Sequence, residues 1–263
     1  MSMEPPFTKK YFFFDIDGTL ASGMTTFVPE STKRTLRLLR ERGHFLCIAT
    51  GRLQADALKV SEEVGIPNIV GDGGNSLTLE NHLIRMDSLP RRQIVQLIDE
   101  LERKGILWAV TMENLRMRRT KYGEFVEQCG DRYFETIVDP DLDYRKVESF
   151  YKVYILCSPW QERSIENLRG MPTVRYTPRS VFIEPDNKTI GIKRMMDYMA
   201  APYKDVVVFG DGVNDMKMFL PEWTSIAMGN ACPQLKEVAD FVTTGILEDG
   251  IYNACKHFHW IED

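Results

Sequence analysis

The chain is poor in the residues that define several common protein classes. Its five cysteines among 263 residues are odd in number and scattered, with neither a disulfide framework nor metal-ligand spacing. We expect them to be reduced and mostly buried, as in a cytoplasmic protein. The net charge is −5, without the basic surface that nucleic-acid-binding proteins usually carry. The sequence therefore disfavours a secreted disulfide scaffold and a nucleic-acid partner.

Long hydrophobic runs are missing as well. No apolar stretch approaches the roughly 20 residues that a membrane helix needs. Residues 1–6 lack the basic region and apolar core of a secretory signal. We expect no membrane partner, and a monomer or weak dimer. The chain is 43% hydrophobic, which is enough for a sizeable core in one large domain or two smaller ones.

Three short apolar runs each end on residues with oxygen-bearing side chains. The runs and the residues that follow them are Tyr11–Phe14 before Asp15-Ile16-Asp17-Gly18-Thr19, Phe45–Ala49 before Thr50-Gly51-Arg52, and Val206–Phe209 before Gly210-Asp211-Gly212-Val213-Asn214-Asp215. Such runs are typical of parallel strands buried on both faces, and open parallel sheets bind ligands beyond their carboxyl ends. The pattern predicts an α/β fold with a doubly wound, Rossmann-like parallel sheet. The clustered carboxylates predict a Mg²⁺ site, which tends to recruit phosphate.

The alternation of strands and helices is interrupted in the middle of the chain. We predict a core built from residues 1–82 and 183–263, and an inserted α+β domain, mainly antiparallel, over residues 83–182. Within the insert, residues 122 to about 144 are predicted to be mostly helical. In the core, a helix is predicted to begin near Asn214.

Asp15 and Asp17 are the candidate catalytic pair. A carboxylate at a strand end can attack a phosphoryl group once charge repulsion is cancelled, which makes Asp15 the candidate nucleophile. Asp17 is placed to act as the general acid for the leaving oxygen and then as the base for water. Thr50 offers a hydroxyl, and Gly51 an N–H, to phosphate oxygens.

The remaining candidates hold the metal, the phosphate or the substrate. Asp211 is predicted to bind the metal directly, Asp215 to reach it through water or to position Asp211, and Asn214 to bind phosphate or a metal-bound water. A site this acidic needs a fixed cation, for which we choose Lys188 over Lys193. The candidate substrate contacts are Arg52, Arg116 and Arg118. Arg52 could equally lie on a helix surface, and Arg116 and Arg118 could form a solvated cationic edge.

These motifs, in this order, resemble the haloacid dehalogenase superfamily, and their flanks resemble its Cof-like phosphatase branch. The later Met228-Gly229-Asn230-Ala231 and Glu248-Asp249-Gly250 resemble that branch too. The resemblance implies Asp15 as nucleophile, Asp17 as acid/base, and Thr50 and Lys188 as phosphate ligands. It implies Mg²⁺ held by Asp15, the Asp17 carbonyl and Asp211, with Asp215 in support. The insert would be a cap that selects the substrate.

One departure from the branch concerns Asp72. Asp72-Gly73-Gly74 stands where branch members commonly carry Asn-Gly-Ala, which makes Asp72 a further candidate substrate residue. We expect a Mg²⁺-dependent phosphatase that acts on small phosphorylated metabolites, with sugar phosphates first. The alternatives are a phosphotransferase or phosphomutase with the same intermediate, and a non-catalytic sensor of Mg²⁺ and phosphate.

Overall fold

The computed structural model describes residues 8–23 and 27–262. Residues 1–6, for which we predict no secretory signal, lie outside the described residues. The chain divides into two compact units. The first contains residues 57–85 and the described parts of 1–52 and 187–263; the second contains residues 53–56 and 86–186. The insert was predicted over 83–182, and its role as a cap stays a prediction. Within the described residues, no helix has the length and apolar character needed to cross a bilayer.

The strands are short and fall into two sheets. In chain order they are β1 Tyr11–Phe14, β2 Phe45–Ala49, β3 Ile69–Gly71, β4 Ser76–Leu79, β5 His82–Met86, β6 Trp108–Thr111, β7 Met117–Thr120, β8 Glu135–Val138, β9 Lys152–Leu156, β10 Thr173–Thr177, β11 Ser180–Ile183, β12 Val206–Gly210, β13 Thr224–Ala227 and β14 Phe241–Val242.

The α-helices lie between or after these strands in the sequence. In chain order they are α1 Glu30–Glu41, α2 Gln54–Val64, α3 Arg91–Lys104, α4 Gly123–Cys129, α5 Pro159–Arg163, α6 Lys188–Tyr198, α7 Pro233–Val238 and α8 Gly250–His257.

The sheet of the first unit has the order β14-β13-β12-β1-β2-β3-β4-β5. The strands from β14 to β3 are parallel to one another, with β1 between β12 and β2. Helices cover both faces, because Phe12 and Phe14 of β1 pack in one apolar cluster with α1 and α8, while Phe13 packs in another with α6 and α7. A strand buried on both faces needs no polar alternation, which explains the unbroken apolar runs. The predicted doubly wound sheet is confirmed.

An antiparallel hairpin that the sequence did not predict extends this sheet. Strand β4 pairs antiparallel with β3, and β5 forms the edge beyond it. Glu80 and Asn81 form the two-residue turn between β4 and β5, with φ of 49° and 65°. Two consecutive positive φ angles are typical of the turn that matches the twist of a hairpin. Because β5 is almost wholly exposed, it lacks the apolar alternation by which strands are recognised.

The sheet of the second unit has the order β10-β11-β9-β6-β7-β8 and is mainly antiparallel, as predicted. The mostly helical stretch predicted for 122 to about 144 is wrong. In that stretch α4 is the only α-helix, and β8 pairs parallel with β7 at the edge of the sheet. Gly130 ends α4 with φ of 66°, a left-handed conformation that stops a helix.

The cysteines are as the sequence predicted. All five are free, and four of them are buried. Cys47 lies inside β2 and has no exposed surface. Burial raises the pKa of its thiol, so that it stays an uncharged core residue.

Candidate active site

The site lies at the carboxyl ends of the central parallel strands of the first unit. Phe14 is in register with Phe209 on one side and with Ile48 on the other, so the residues after these strands emerge at one edge. The Asp15 N–H donates to the Phe209 carbonyl over 3.0 Å, which continues the ladder by one residue. The side chain of Asp15 is therefore held on a rigid element.

Lys188 joins two of the carboxylates at this edge. Its Nζ lies 2.5 Å from Asp15 Oδ1 and 2.6 Å from Asp215 Oδ1, and its side chain is 2% exposed. Lys188 is the first residue of α6, and its close approach depends on Gly74 and Gly191. A Cβ on Gly74 would lie 2.3 Å from the Asn187 carbonyl oxygen, and one on Gly191 would lie 2.8 Å from the Gly74 Cα. The start of α6 can thus pack against the backbone at Gly74 only because neither Gly74 nor Gly191 has a side chain.

The rival lysine lies elsewhere on the same helix. Lys193 forms a half-exposed ion pair with Glu222 at 3.4 Å. The structure therefore brings Lys188 to the carboxylates and leaves Lys193 in a half-exposed pair. The functional role of Lys188 stays a prediction.

Three carboxylates form a compact cluster. Single oxygens of Asp15, Asp211 and Asp215 all lie within 4.8 Å of one another. Three hard oxygen donors at this spacing fit a Mg²⁺ ion, which prefers carboxylates and water. Predicted ligands Asp15 and Asp211 both belong to this cluster, and Asp215 joins it with its buried side chain.

The electrostatics of the cluster reflect this crowding. Burial raises the pKa of the Asp15 carboxyl; the Lys188 ammonium opposes that rise, and the charge of Asp215 adds to it. Burial also raises the pKa of Asp211 to about 6, and repulsion from Asp215 acts in the same direction. Burial alone would lower the pKa of Lys188, but the charges of Asp15 and Asp215 outweigh it and raise that pKa. A divalent cation would favour the charged carboxylates, since it inverts this balance.

Asp215 also shapes the loop that carries Asp211. Its Oδ2 accepts hydrogen bonds from the backbone N–H groups of Asp211 and Gly212, each at 2.9 Å. The helix predicted to begin near Asn214 is present as a 3₁₀ helix, Val213–Met218. Side-chain bonds to nearby backbone groups, such as those of Asp215, compete with the α-helical ladder.

Gly18 is required by the close packing of this loop against Asp211. Its φ is +83°, and a Cβ there would lie 2.1 Å from Asp211 Oδ2. The neighbouring Thr19 donates from its hydroxyl to Asp211 Oδ1 over 3.3 Å. Gly18 therefore limits the position of the Asp211 carboxylate by close contact, and Thr19 limits it by hydrogen bonding.

The predicted phosphate ligands differ in exposure. Thr50 is 1% exposed, and its Oγ1 accepts from the Arg52 N–H over 3.1 Å. Gly51 has open space where a Cβ would be, so its backbone is accessible. Asn214 is exposed, and a Cβ on Gly212 would lie 2.3 Å from its Oδ1. These positions leave the assignments as predictions.

Arg52 contacts the candidate acid/base. Its Nε and Nη2 donate to the two carboxylate oxygens of Asp17 over 3.0 and 2.5 Å. The Arg52 side chain is 8% exposed. The sequence leaves open whether Arg52 belongs to the site or to a helix surface; in the structure its guanidinium pairs with Asp17, and its role stays a prediction.

The other candidate substrate residues lie in different surroundings. Asp72 is 3% exposed, with a positive φ of 49°, and its N–H donates to the Arg52 carbonyl.

In the second unit, Arg116 is half exposed and lies over the Tyr133 ring at 4.6 Å. Arg118 does not share that exposure, because its 1%-exposed side chain pairs with Asp131 at 2.7 Å. A solvated edge therefore does not describe Arg118, whose charge is satisfied inside the unit.

One contact at the site was missed from the sequence. The Asn230 side-chain amide donates to the Gly18 carbonyl over 2.8 Å, and its Oδ1 accepts from the Ile246 N–H over 3.0 Å. Asn230 thereby ties the loop after β1 to the segment after β14. The Gly-Asn pair at 229–230 was visible in the sequence, but nothing local indicated its partner.

Comparisons with known proteins agree on one family. A family model described as haloacid dehalogenase-like hydrolase matches residues 12–255. A candidate phosphatase of Bacillus subtilis, YkrA, is 33% identical over 94% of this chain and 96% of its own length. A protein of Geobacillus kaustophilus with a crystal structure is 30% identical, with a TM-score of 0.85 over 97% of this chain and all of that one. A solved subclass IIB sugar phosphatase is 24% identical, with a TM-score of 0.76 over 96% of this chain and all of that chain.

Proposed function

The chain belongs to the haloacid dehalogenase-like hydrolase family, in its Cof-like branch, and we propose that it hydrolyses small phosphomonoesters with Mg²⁺ through an aspartyl-phosphate. As a member it is a phosphoric monoester hydrolase. The observation that carries the finer proposal is the buried contact of Lys188 with Asp15 and Asp215, beside a third carboxylate from Asp211. This arrangement provides a fixed nucleophile and a fixed cation at one point.

The first half of the reaction would use Asp15 and Asp17. A carboxylate oxygen of Asp15 attacks phosphorus, the bond to the leaving oxygen breaks, and Asp17 gives that oxygen a proton. Lys188 offsets the negative charge of the phosphoryl group as it approaches Asp15. Thr50 and Gly51 would hold its remaining oxygens by hydrogen bonds.

The second half would restore the enzyme. Asp17 takes a proton from water, the water oxygen attacks phosphorus, and the bond between phosphorus and Asp15 breaks to release phosphate. Asp15 is then a carboxylate again, and Asp17 carries the proton for the next cycle. A phosphotransferase would replace this water with a substrate hydroxyl.

Mg²⁺ would be held by Asp15, Asp211 and the Asp17 main-chain carbonyl, with Asp215 in support. Bound there, it would supply positive charge that polarises the phosphoryl oxygens. Asp215 supports the site by accepting the two N–H groups of the Asp211 loop. Asp15, Asp211 and the Asp17 carbonyl would thus be the direct ligands of the metal, and Asp215 would fix the geometry of the loop that carries Asp211.

Sugar phosphates are the proposed substrates, with other small phosphorylated metabolites behind them. The support is a fold shared with a subclass IIB sugar phosphatase over 96% of this chain. We further propose that the second unit is a cap that excludes water and selects the leaving group, and that the protein works in the cytoplasm.

Asp15→Asn tests the mechanism, because an amide cannot form the acyl phosphate. We expect no phosphate release from a chromogenic ester or from a panel of sugar phosphates with Mg²⁺. Wild-type protein quenched in acid during turnover of labelled substrate should retain label that hydroxylamine removes, and the variant should retain none. Asp141→Asn, at an exposed position in the second unit, is the control. Turnover by the Asp15 variant at the wild-type rate would contradict the proposal.

A further inference from the structure

Arg52 has a contact that phosphate binding does not explain. Its guanidinium engages both oxygens of the Asp17 carboxylate, over 3.0 Å from Nε and 2.5 Å from Nη2. Such a two-point contact fixes direction as well as distance, because the fork of the guanidinium and the carboxylate must share a plane. The contact is shielded on the arginine side, where the side chain is 8% exposed.

The backbone of Arg52 is fixed by two neighbouring loops. Its N–H donates to Thr50 Oγ1 over 3.1 Å, and its carbonyl accepts from the Asp72 N–H over 2.8 Å. Thr50 in turn continues the ladder to β3, through a 2.9 Å bond to the Val70 carbonyl. The backbone from which the Arg52 side chain extends is therefore anchored at the carboxyl ends of β2 and β3.

The side chain of Asp17 is engaged by Arg52 and is not one of the three clustered carboxylates. Asp15, Asp211 and Asp215 make up the cluster within 4.8 Å, whereas the Asp17 carboxylate pairs with Arg52. A carboxylate has about four lone-pair positions, so two contacts from one guanidinium leave positions on both oxygens. One oxygen can thus face the leaving group or the attacking water while the pair persists.

We propose that Arg52 is a positioning residue, which orients the Asp17 carboxylate toward the oxygen of the leaving group and does not itself bind the substrate. This inference rests on the proposed function, since it needs Asp17 as the acid/base. It assigns to Arg52 a role different from that of a substrate ligand, and the two roles differ in what a mutation does to different esters.

The test compares two esters that depend differently on proton donation. A nitrophenyl phosphate has a leaving group that departs without a proton, whereas an alkyl phosphate such as glycerol phosphate needs one. For Arg52→Met we expect kcat/KM to fall about 100-fold or more on the alkyl ester, which is the order that general acid catalysis contributes. On the nitrophenyl ester kcat/KM should fall less than about tenfold. The comparison uses kcat/KM because this ratio reports the first half of the reaction, whereas kcat also contains the step in which Asp17 activates water for both esters.

A double-mutant cycle then asks whether Arg52 acts through Asp17. In an Asp17→Asn background, Arg52→Met should cause no further loss on the alkyl ester, because the group that it orients is already gone. Arg52→Lys keeps the charge but not the two-point geometry of the guanidinium, so it should recover only part of the kcat/KM that Arg52→Met loses on the alkyl ester. The control is Arg42→Met, which removes a surface pair with Glu262 at 3.1 Å and should leave both rates unchanged.

The outcomes distinguish a failure of this inference from a failure of the proposed function. Equal losses of kcat/KM on both esters would make Arg52 a substrate ligand, and an independent loss in the Asp17→Asn background would also overturn the inference. If Arg52→Met does not fold, as judged by thermal unfolding, Arg52→Lys is compared with wild type by the same ratio of the two esters. A wild-type protein that releases phosphate from neither ester would instead contradict the proposed function.

Discussion

Replacing Lys188 by methionine removes the cation from a buried cluster of carboxylates. Lys188 contacts Asp15 and Asp215 at 2.5 and 2.6 Å, and the three side chains are 2%, 4% and 0% exposed. Methionine preserves most of the volume, so the change in stability reports the lost charge and its hydrogen bonds. Both carboxylates would then face each other in a site that water does not reach.

The expected loss follows from this burial. Removing one partner of a buried ion pair costs about 3–5 kcal/mol, because a charge is left without compensation. That is a large part of the roughly 5–15 kcal/mol by which folded proteins are stable. In a chain of this size it corresponds to a fall in Tm of about 6–20 °C.

The loss should also depend on pH. Burial raises the pKa of Asp15, and Lys188 opposes that rise, so removing Lys188 raises the pKa further. A carboxyl whose folded pKa exceeds its unfolded value of about 3.9 contributes stability that is complete below that value. This stability is lost as the pH rises through the folded pKa. The variant and the wild type should therefore lose stability in parallel up to the folded pKa that Asp15 has in the wild type, and the variant should fall behind as the pH rises above that value.

Thermal unfolding in EDTA across this pH range is the assay. The matched control is Lys193→Met on the same helix, whose half-exposed pair with Glu222 at 3.4 Å should contribute less than about 1 kcal/mol. A double variant, Lys188→Met with Asp15→Asn, should recover part of the stability, because one of the two facing charges is gone. If Lys188→Met were as stable as Lys193→Met at pH 8, Lys188 would not be the counter-ion of these carboxylates.

Two further predictions concern the metal and the loop around it. Mg²⁺ at about 100 times its Kd should stabilise wild type by about 2.7 kcal/mol in thermal unfolding. Asp211→Asn should show little of this effect, because it removes a carboxylate whose pKa burial raises to about 6; an equal shift in both proteins would contradict the metal assignment. Gly18→Ala should also lose the Mg²⁺ effect, because its Cβ would lie 2.1 Å from Asp211 Oδ2. Gly23→Ala, with φ of +61° and no atom of the described residues within 4 Å, should cost only about 1–2 kcal/mol of backbone strain and keep the effect; identical Mg²⁺ responses of the two variants would refute this role of Gly18.

The parallel core could be predicted because its signal is local. Phe12, Phe13 and Phe14 are all 0% exposed, with successive side chains on opposite faces of a sheet covered by helices on both sides. A strand in this position has no polar face, so the sequence itself shows where it starts and ends. The residues just beyond such strands could therefore be placed together without knowledge of the fold.

One edge strand of each sheet, β5 and β8, could not be predicted, because the identity of such a strand depends on its partner. Strand β8, Glu135–Val138, has no fully buried residue, and its pattern does not distinguish a strand from a helix. It becomes a strand by pairing with β7, whose Arg118 is in register with Thr136. The β4–β5 hairpin was missed for the same reason, since the exposed β5 relies on the turn at 80–81 and on its neighbour.

The site shows the same division between local and long-range information. The types and order of Asp15, Thr50, Lys188 and Asp211 indicated a phosphate and metal site from the sequence. The pairing of Arg52 with Asp17 joins positions 35 apart, and the contact of Asn230 with Gly18 joins positions 212 apart. An arginine after a strand has many acceptors within reach, so only the folded chain selects one.

The placement of the cations explains which carboxylate is left for the metal. Lys188 is shared by Asp15 and Asp215, and Arg52 is paired with Asp17. Among the described residues Asp211 forms no ion pair, and its Oδ1 accepts only the weaker contact of the Thr19 hydroxyl at 3.3 Å. Among the described residues, Asp211 is therefore the carboxylate of the cluster that has no ion pair with a fixed cation. A divalent cation gains most beside such a group, because there it need not displace a fixed cation to bind.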